Sequence, residues 1–230
     1  MIRKAFKRAA IKPEGTSGVD FVEAILRERP DLRGQPVSFP TFGAVAHTVF
    51  IGNEVFKGPK EDWGIPGFDR EYKVLQKLDG KGLPVPKVTC VGKEFIFFGM
   101  TRMPGVPLGK DFCDRLTGEE QRALARDIAG FMIDMALALP ARNGEFALHK
   151  DLQYHNILID PDTKRLSAII DFGKADGGDY APKDSLPDHI RPCMGEPFIK
   201  MCREEFALRK SELPDIRRAA PSAKHNRPKR

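Results

Sequence analysis

The stretch His149-Lys-Asp-Leu-Gln-Tyr-His-Asn156, with Asp171-Phe-Gly173 beginning fifteen residues after it, decides how this chain is interpreted. Between the two motifs, short apolar runs flank a Pro-containing turn, which predicts a hairpin that brings both polar loops side by side. Asp151 is then placed to accept a proton from an attacking hydroxyl group. Asn156 and Asp171 offer oxygen ligands to a hard cation such as Mg²⁺, which holds phosphates through few protein ligands.

This pattern resembles the catalytic core of the protein kinase-like superfamily, and the resemblance extends from about Phe39 to Ala175. It implies an α+β, bilobal protein kinase-like fold with a β-rich small N-lobe and a truncated helical C-lobe. It also implies phosphate transfer from ATP, with Mg²⁺ as the metal. The implied roles are a catalytic base, two metal ligands and a histidine that buttresses the loop, at Asp151, Asn156, Asp171 and His149.

The same resemblance implies a nucleotide site in the first hundred residues. Lys57, at the end of a predicted strand, matches the lysine that pairs with the α- and β-phosphates, and Val55 of the same strand is also expected to bind the nucleotide. Glu71 matches the glutamate that orients this lysine. Three other acidic residues compete for that role, namely Glu61, Asp62 and Asp69.

The segment Met100-Thr-Arg-Met103 resembles the hinge between the two lobes. On that alignment Met100 guards the back of the adenine pocket, and the backbones of Thr101 and Met103 face the adenine edge. The phosphate-binding glycine loop is reduced to a single residue, Gly43, so a backbone clamp on the phosphates is less assured than in the family.

Other departures bear on regulation and on the substrate. Residue 150 is Lys rather than the Arg that reads a phosphorylated activation loop in regulated kinases, and residue 153 is Gln where serine/threonine kinases typically carry a phosphate-contacting lysine. No Ala-Pro-Glu follows Gly173, and only 57 residues remain after it. The peptide-docking half of the large lobe is therefore expected to be truncated, and an activating protein partner is a possible requirement.

The phosphate acceptor is left with alternatives. Phe98 to Leu108 resembles the hinge of aminoglycoside phosphotransferase-like proteins and of minimal effector kinases of bacterial pathogens. Only 44 residues separate Pro104 from His149, enough for one long helix and a connection, so the usual small-molecule pocket is expected to be largely missing. We therefore expect transfer to a protein Ser/Thr hydroxyl. The alternatives are a small-molecule or sugar kinase and a nucleotide-binding pseudokinase or scaffold.

The coarse pattern predicts the main elements. The expected helices cover Val19–Arg29, Asp69–Leu78, Thr117–Leu139 and Pro197–Arg209, the third opened by the capping box Thr117-Gly-Glu-Glu120. The expected strands are a hairpin turning at Gly52-Asn53, then Val85–Cys90, Phe95–Phe98, Ile157–Ile159 and Leu166–Ile170. The chain is thus divided into a tail (1–17), an N-lobe (18–103), a C-lobe (104–213) and a second tail (214–230).

The formal charge of +6 belongs to the ends of the chain. Residues 1–12 hold five basic residues and no acidic one, and residues 217–230 hold six and none. Removing these eleven of the 38 basic residues leaves 27 against 32 acidic residues, so the body is mildly acidic and is not expected to bind nucleic acid specifically. No apolar run reaches the ~20 residues of a membrane-spanning helix. Four scattered cysteines suit a reducing compartment, so we expect a cytoplasmic protein, bacterial or, for a secreted effector, in the host.

Overall fold

A computed structural model of the chain describes residues 18–40, 46–60, 64–139, 146–178 and 191–212. Within these ranges an antiparallel sheet forms one lobe and helices dominate the other. This is the mixed, two-lobed architecture that the sequence predicts. Gly43, Glu61, Asp62 and both basic tails lie outside the described residues.

A five-stranded antiparallel sheet with strand order β1-β2-β3-β5-β4 forms the N-lobe. Its strands are β1 (Val37–Ser38), β2 (Ala46–Ile51), β3 (Glu54–Pro59), β4 (Val88–Val91) and β5 (Phe98–Thr101). The predicted hairpin is confirmed, since β2 and β3 pair on either side of Gly52-Asn53. Gly52 has a φ of 57°, a left-handed conformation that a two-residue hairpin turn requires and glycine adopts without steric cost.

One helix packs on each face of this sheet: α1 (Gly18–Glu28) on one side and α2 (Ile65–Leu78) on the other. Strand β3 serves both faces because side chains alternate along a strand. Val55 joins the apolar cluster that contains α2, whereas Phe56 joins a separate cluster with Phe21 of α1. Lys57, two residues after Val55, therefore projects toward α2.

Three elements of the N-lobe have a boundary that differs from the sequence-based prediction by three residues or more. Helix α2 begins at Ile65, one turn before the predicted Asp69, with a proline at its start where the missing N–H costs nothing. Strand β4 starts only at Val88, because Pro84 and Pro86 cannot donate ladder hydrogen bonds. Strand β5 runs from Phe98 to Thr101 rather than over Phe95–Phe98, since the Phe97 amide closes a tight turn onto the Phe95 carbonyl.

The C-lobe is built on two long helices, α4 (Gly118–Ala138) and α5 (Arg191–Arg209), with the short helix α3 (Lys110–Cys113) beside them. The predicted capping box is confirmed: the Thr117 side chain accepts from the Glu120 amide and Glu120 caps the Thr117 amide. Within α5, Gly195 has a φ of 71° and interrupts the helix, so the predicted helix from Pro197 is the segment after this break. None of the helices in the described ranges is long and apolar enough to cross a membrane.

Short strands flank the two motifs, His149–Asn156 and Asp171–Gly173. Strands β6 (Val106–Pro107), β8 (Ile157–Ile159) and β9 (Leu166–Ile169) form one small sheet, and β7 (Phe146–Leu148) pairs with β10 (Asp176–Gly178). The β8–β9 pair is the hairpin predicted between the two motifs. The segment that follows the hinge-like residues 100–103 meets this sheet at Gly105, whose φ is 106°. A Cβ at Gly105 would lie 2.8 Å from the Ile159 carbonyl oxygen. A side chain at this position would clash with the β8 backbone.

Candidate active site

A buried ion pair joins the sheet to helix α2. Lys57 Nζ donates to both carboxylate oxygens of Glu71, at 2.8 and 2.9 Å. Burial alone would lower the pKa of Lys57, but the carboxylates of Glu71 and Asp171 outweigh it and hold the pKa above its ordinary value. Lys57 therefore stays charged in this buried position.

Asp171 lies on the other side of the same lysine. Its Oδ1 is 3.5 Å from Lys57 Nζ, and its side chain is about half exposed. The positive charge of Lys57 is the main reason why the pKa of Asp171 falls below its usual range, against the opposing effect of burial. The backbone of Asp171 has a φ of 65°, a left-handed conformation that costs a non-glycine residue about 1 kcal/mol or more. The fold thus keeps an ionised carboxylate in a constrained loop.

His149 joins the loop that carries Asp151 to the loop that carries Asp171. Its Nε2 bonds the Ile170 carbonyl oxygen at 3.0 Å, and its Nδ1 accepts from the Asp151 amide at 3.3 Å. These contacts require the neutral tautomer with the proton on Nε2. Burial lowers the pKa of His149 to about 4, and its ring packs against Phe172 at 4.6 Å between centroids. His149 is therefore a neutral structural group between the loops, the place that the resemblance implies for it.

Asp151 has one occupied and one open carboxylate oxygen. Oδ1 accepts from Gln153 Nε2 at 2.8 Å and from Lys174 Nζ at 3.0 Å. In the described part of the chain nothing donates a hydrogen bond to Oδ2. The carboxylate is 12% exposed, enough for a hydroxyl group to reach the open oxygen. A base oriented in this way is suited to accept a proton from an acceptor hydroxyl.

Asn156 and Asp171 provide a donor set that fits Mg²⁺. Asn156 Nδ2 donates to the Asp151 carbonyl oxygen at 2.9 Å, which fixes the amide, while its Oδ1 takes no hydrogen bond from the described residues. The Asn156 carbonyl oxygen accepts from the Ile170 amide at 3.0 Å, so the two ligand-bearing loops are adjacent. No group of three or more His, Cys, Asp or Glu side chains in the described ranges could hold a metal. One carboxylate and one amide oxygen suit a Mg²⁺ ion that is also held by phosphates and water.

The predicted adenine-site residues lie where β3 meets β5. Val55 and Met100 are directly paired across these strands, and both side chains are buried. The Thr101 amide is used in a bond to the Lys87 carbonyl oxygen at 2.8 Å. The Met103 amide donates no hydrogen bond to any described residue, so it is available to an adenine edge, whereas the Thr101 amide is not.

The structure thus brings Lys57, Glu71, Asp151, Asn156 and Asp171 together. It resolves the choice of acidic partner among the described candidates, because Asp69 pairs with Lys73 on the surface of α2. Gly43 lies outside the described residues and stays a prediction.

Two polar contacts of this site have no counterpart in the sequence analysis. Lys174 bonds the Asp151 carboxylate, and Arg70 Nη1 donates to the Gly173 carbonyl oxygen at 3.1 Å. Lys174 follows the Asp-Phe-Gly motif and Arg70 precedes Glu71, so proximity in sequence to a motif was the only available signal. The direction of each side chain depends on tertiary packing.

Solved structures with the same fold include a wild-type aminoglycoside 2'-phosphotransferase-IIIa with GDP bound (TM-score 0.71, 19% identity, 84% of this chain and 83% of that chain). Another is the ADP-bound aminoglycoside phosphotransferase APH(2'')-Ib (TM-score 0.69, 17% identity, 86% and 85%). A third is the macrolide 2'-phosphotransferase MphH of Brachybacterium faecium as the apoenzyme (TM-score 0.60, 14% identity, 90% and 100%). No protein-family model and no curated protein sequence matches the chain. At these identities the likeness establishes the fold alone, which this chain shares with these phosphotransferases.

Proposed function

We propose that this chain with a protein kinase-like fold is a phosphotransferase that moves the γ-phosphate of a nucleoside triphosphate, ATP in the first instance, to a hydroxyl group of a small molecule. The observation that carries the proposal is the closed arrangement of Lys57 between Glu71 and Asp171, at 2.8 and 3.5 Å. It is joined through the His149 contacts to a base, Asp151, that has an open oxygen. A scaffold protein would not need a charged lysine, an ionised carboxylate and an oriented base in one cleft.

The chemistry follows from these positions. The acceptor oxygen attacks the γ-phosphorus, a new O–P bond forms, and the bond from that phosphorus to the β–γ bridging oxygen breaks. The acceptor proton passes to Asp151 Oδ2, and the nucleoside diphosphate leaves. Lys57 neutralises charge on the α- and β-phosphates. Asn156 and Asp171 would hold Mg²⁺, which when bound neutralises the charge that builds up on the phosphate oxygens.

The class of acceptor is inferred from the solved structures. The three structures compared above are named as aminoglycoside and macrolide phosphotransferases, so small polyhydroxylated compounds are the class to test first. Between Pro104 and His149 the described chain holds one long helix, α4, together with the short helix α3 and the short strands β6 and β7. Transfer to a protein Ser/Thr hydroxyl, the first expectation from the sequence, is the competing outcome of the experiment.

The test uses the purified full chain with Mg²⁺ and γ-labelled ATP or GTP. One arm offers a panel of aminoglycosides, macrolides and simple sugars, and the other offers a cell lysate. We expect label on a small molecule and a fall of at least about 100-fold with Asp151→Asn. Asp171→Ala is expected to abolish transfer while the fold survives. Asp162→Asn, in the exposed β8–β9 turn, is the matched control with the same loss of charge.

The outcomes separate the alternatives. Label on lysate proteins and on no small hydroxyl compound would contradict the acceptor class and favour a protein kinase. Nucleotide binding without any transfer in either arm would favour a pseudokinase. Undiminished transfer in the Asp171→Ala variant would overturn the assignment of this cleft as the catalytic site.

A further inference from the structure

A second lysine reaches the reaction centre from the segment that follows the Asp-Phe-Gly motif. Lys174 Nζ lies 3.0 Å from Asp151 Oδ1, and its side chain is 65% exposed, whereas that of Lys57 is 13% exposed. In the catalytic loop, Gln153 occupies the position where serine/threonine kinases typically carry a phosphate-contacting lysine, and its side-chain amide donates to the same Asp151 oxygen at 2.8 Å. Lys174 thus places an ammonium group on the carboxylate of the proposed base.

We propose that Lys174 is a catalytic residue that contacts the transferred γ-phosphoryl group while it also holds Asp151. From the segment after the Asp-Phe-Gly motif, Lys174 would give the phosphoryl group the positive charge that Gln153 of the catalytic loop cannot provide. The inference rests on the proposed function, since it needs a nucleoside triphosphate in this cleft. Lys57 would then serve the α- and β-phosphates, and Lys174 the group that moves.

The position of Asp151 supports this contact. In an in-line transfer the acceptor oxygen lies within hydrogen-bond reach of the base and about 3 Å from the phosphorus. The Lys174 ammonium group is bonded to the same carboxylate. A rotation of its side chain would therefore bring it to the equatorial phosphoryl oxygens, where negative charge is concentrated. Exposure of Lys174 leaves its long side chain free to make that movement.

The backbone that carries Lys174 is held in place. The carbonyl oxygen of the preceding residue, Gly173, accepts from Arg70 at 3.1 Å, and the amide of the following residue, Ala175, donates to the Phe172 carbonyl oxygen at 3.0 Å. Ala175 itself is buried. A flexible side chain on an anchored backbone is the arrangement that a phosphate-contacting group requires, since the anchor fixes where the ammonium group can go.

The lysine end of this ion pair is 65% exposed, so removing Lys174 leaves no buried ammonium group or cavity and tests chemistry without unfolding the protein. The variants are Lys174→Met, Lys174→Arg and the double variant Lys174→Met with Gln153→Lys, which returns a lysine to the catalytic loop. Lys81→Met, an exposed lysine in the turn after α2, is the control with the same change of charge. The measurements are kcat and KM for hydrolysis of Mg·ATP without any acceptor, and Kd for Mg·ADP and for a non-hydrolysable ATP analogue.

We expect Lys174→Met to lower kcat by about 100-fold, as for the loss of one group that stabilises transition-state charge, with a change in KM of less than about threefold. Its Kd for the triphosphate analogue should rise more than its Kd for Mg·ADP, because only the triphosphate has the γ-group. Lys174→Arg should keep at least a tenth of the wild-type kcat, and the double variant should regain about tenfold over Lys174→Met. A structural role alone would produce neither the nucleotide difference nor the recovery.

Failure of this inference is distinguishable from failure of the proposed function. If the wild-type chain binds and hydrolyses Mg·ATP, but Lys174→Met has the wild-type kcat or the double variant regains nothing, the role of Lys174 is wrong and the phosphotransferase proposal stands. If the wild-type chain binds neither Mg·ADP nor the triphosphate analogue, both proposals fall together.

Discussion

Lys57 Nζ contacts both carboxylate oxygens of Glu71, and this one ion pair connects strand β3 to helix α2 across the inner face of the sheet. Both side chains are nearly buried, at 13% and 5% exposure. Desolvation of two charges opposes their attraction, so a buried pair of this kind adds little net stability compared with apolar groups of the same size. Its presence is better explained by the need for a charged lysine at a fixed point in the cleft.

We therefore predict that stability and activity separate at this pair. Glu71→Gln should lower the free energy of unfolding by about 3 kcal/mol, because it leaves a buried ammonium group with only Asp171 as a neighbour. Lys57→Met combined with Glu71→Leu should regain most of that loss and have no transferase activity. Urea unfolding and a transfer assay measure the two properties on the same samples.

Asp69→Asn is the control for this experiment. Asp69 lies on the same helix and pairs with Lys73 at a partly exposed position. Its loss should cost less than about 1 kcal/mol. A double variant no more stable than Glu71→Gln would show that the pair is needed for the fold itself.

The second prediction concerns acid sensitivity. Burial lowers the pKa of His149 to about 4, below the ordinary 6.5. The unfolded chain therefore binds a proton more tightly than the folded one, so stability is full above pH 7 and is lost as the pH falls from 6.5 toward 4. At pH 5 this one residue should account for a loss of about 2 kcal/mol relative to pH 7.

Unfolding curves at pH 7, 6 and 5 for the wild type and His149→Asn test this, because the difference between the two proteins isolates the histidine. The difference should shrink by about 2 kcal/mol over that range. His155→Asn, an exposed histidine of the same loop, is the matched control and should leave the wild-type pH dependence in place. A constant difference between wild type and His149→Asn would show that His149 is not the acid-sensitive group.

The spacing of the two motifs is enough to predict that their loops lie side by side. His149, Asp151, Asn156 and Asp171 occupy adjacent loops because the β8–β9 hairpin between them is short and apolar, features that can be read directly from the chain. The hairpin at Gly52-Asn53 is specified locally in the same way. The residues of a tight turn specify a hairpin by themselves, so these elements can be predicted without knowledge of tertiary contacts.

The element boundaries that the sequence does not predict depend on tertiary packing. The run Phe95–Phe98 is apolar throughout, and an apolar run does not say where a strand begins or which side chain faces which core. In the structure Phe97 belongs to the cluster with α1 and Phe98 to the cluster with α2. Lys174 and Arg70 were missed for a related reason: Arg70 and Gly173 are 103 positions apart, and only the assembled lobes bring them together.

That contact leads to the third prediction. Arg70 donates to the Gly173 carbonyl oxygen, and Gly67 of the same helix lies so close that a Cβ on it would be 3.4 Å from that oxygen. Helix α2 therefore steadies the loop that carries Asp171. Arg70→Met should lower kcat by roughly tenfold and speed amide hydrogen exchange at residues 171–175, with little change in global stability.

Lys73→Met provides the comparison, since Lys73 lies one turn further along α2 and contacts Asp69. It removes the same charge without touching the Asp-Phe-Gly loop. Equal exchange rates in Arg70→Met and wild type would mean that the carbonyl contact does not restrain this loop.

The fourth prediction concerns the face of the sheet away from the cleft, where α1 packs tightly against the strands. Phe21 is buried, its ring centroid is 5.4 Å from that of His47, and a Cβ on Gly58 would lie 2.6 Å from its ring. Phe21→Ala should cost about 3 kcal/mol by leaving a cavity, and Gly58→Ala about 2 kcal/mol by overpacking. The double variant should cost less than the sum by about 1 kcal/mol, because the added methyl group enters the vacated space. The relief stays partial, since the Ile96 carbonyl oxygen is 3.0 Å from the same Cβ position. Urea unfolding of the four proteins measures the coupling, and strict additivity would show that Phe21 does not fill the space above Gly58.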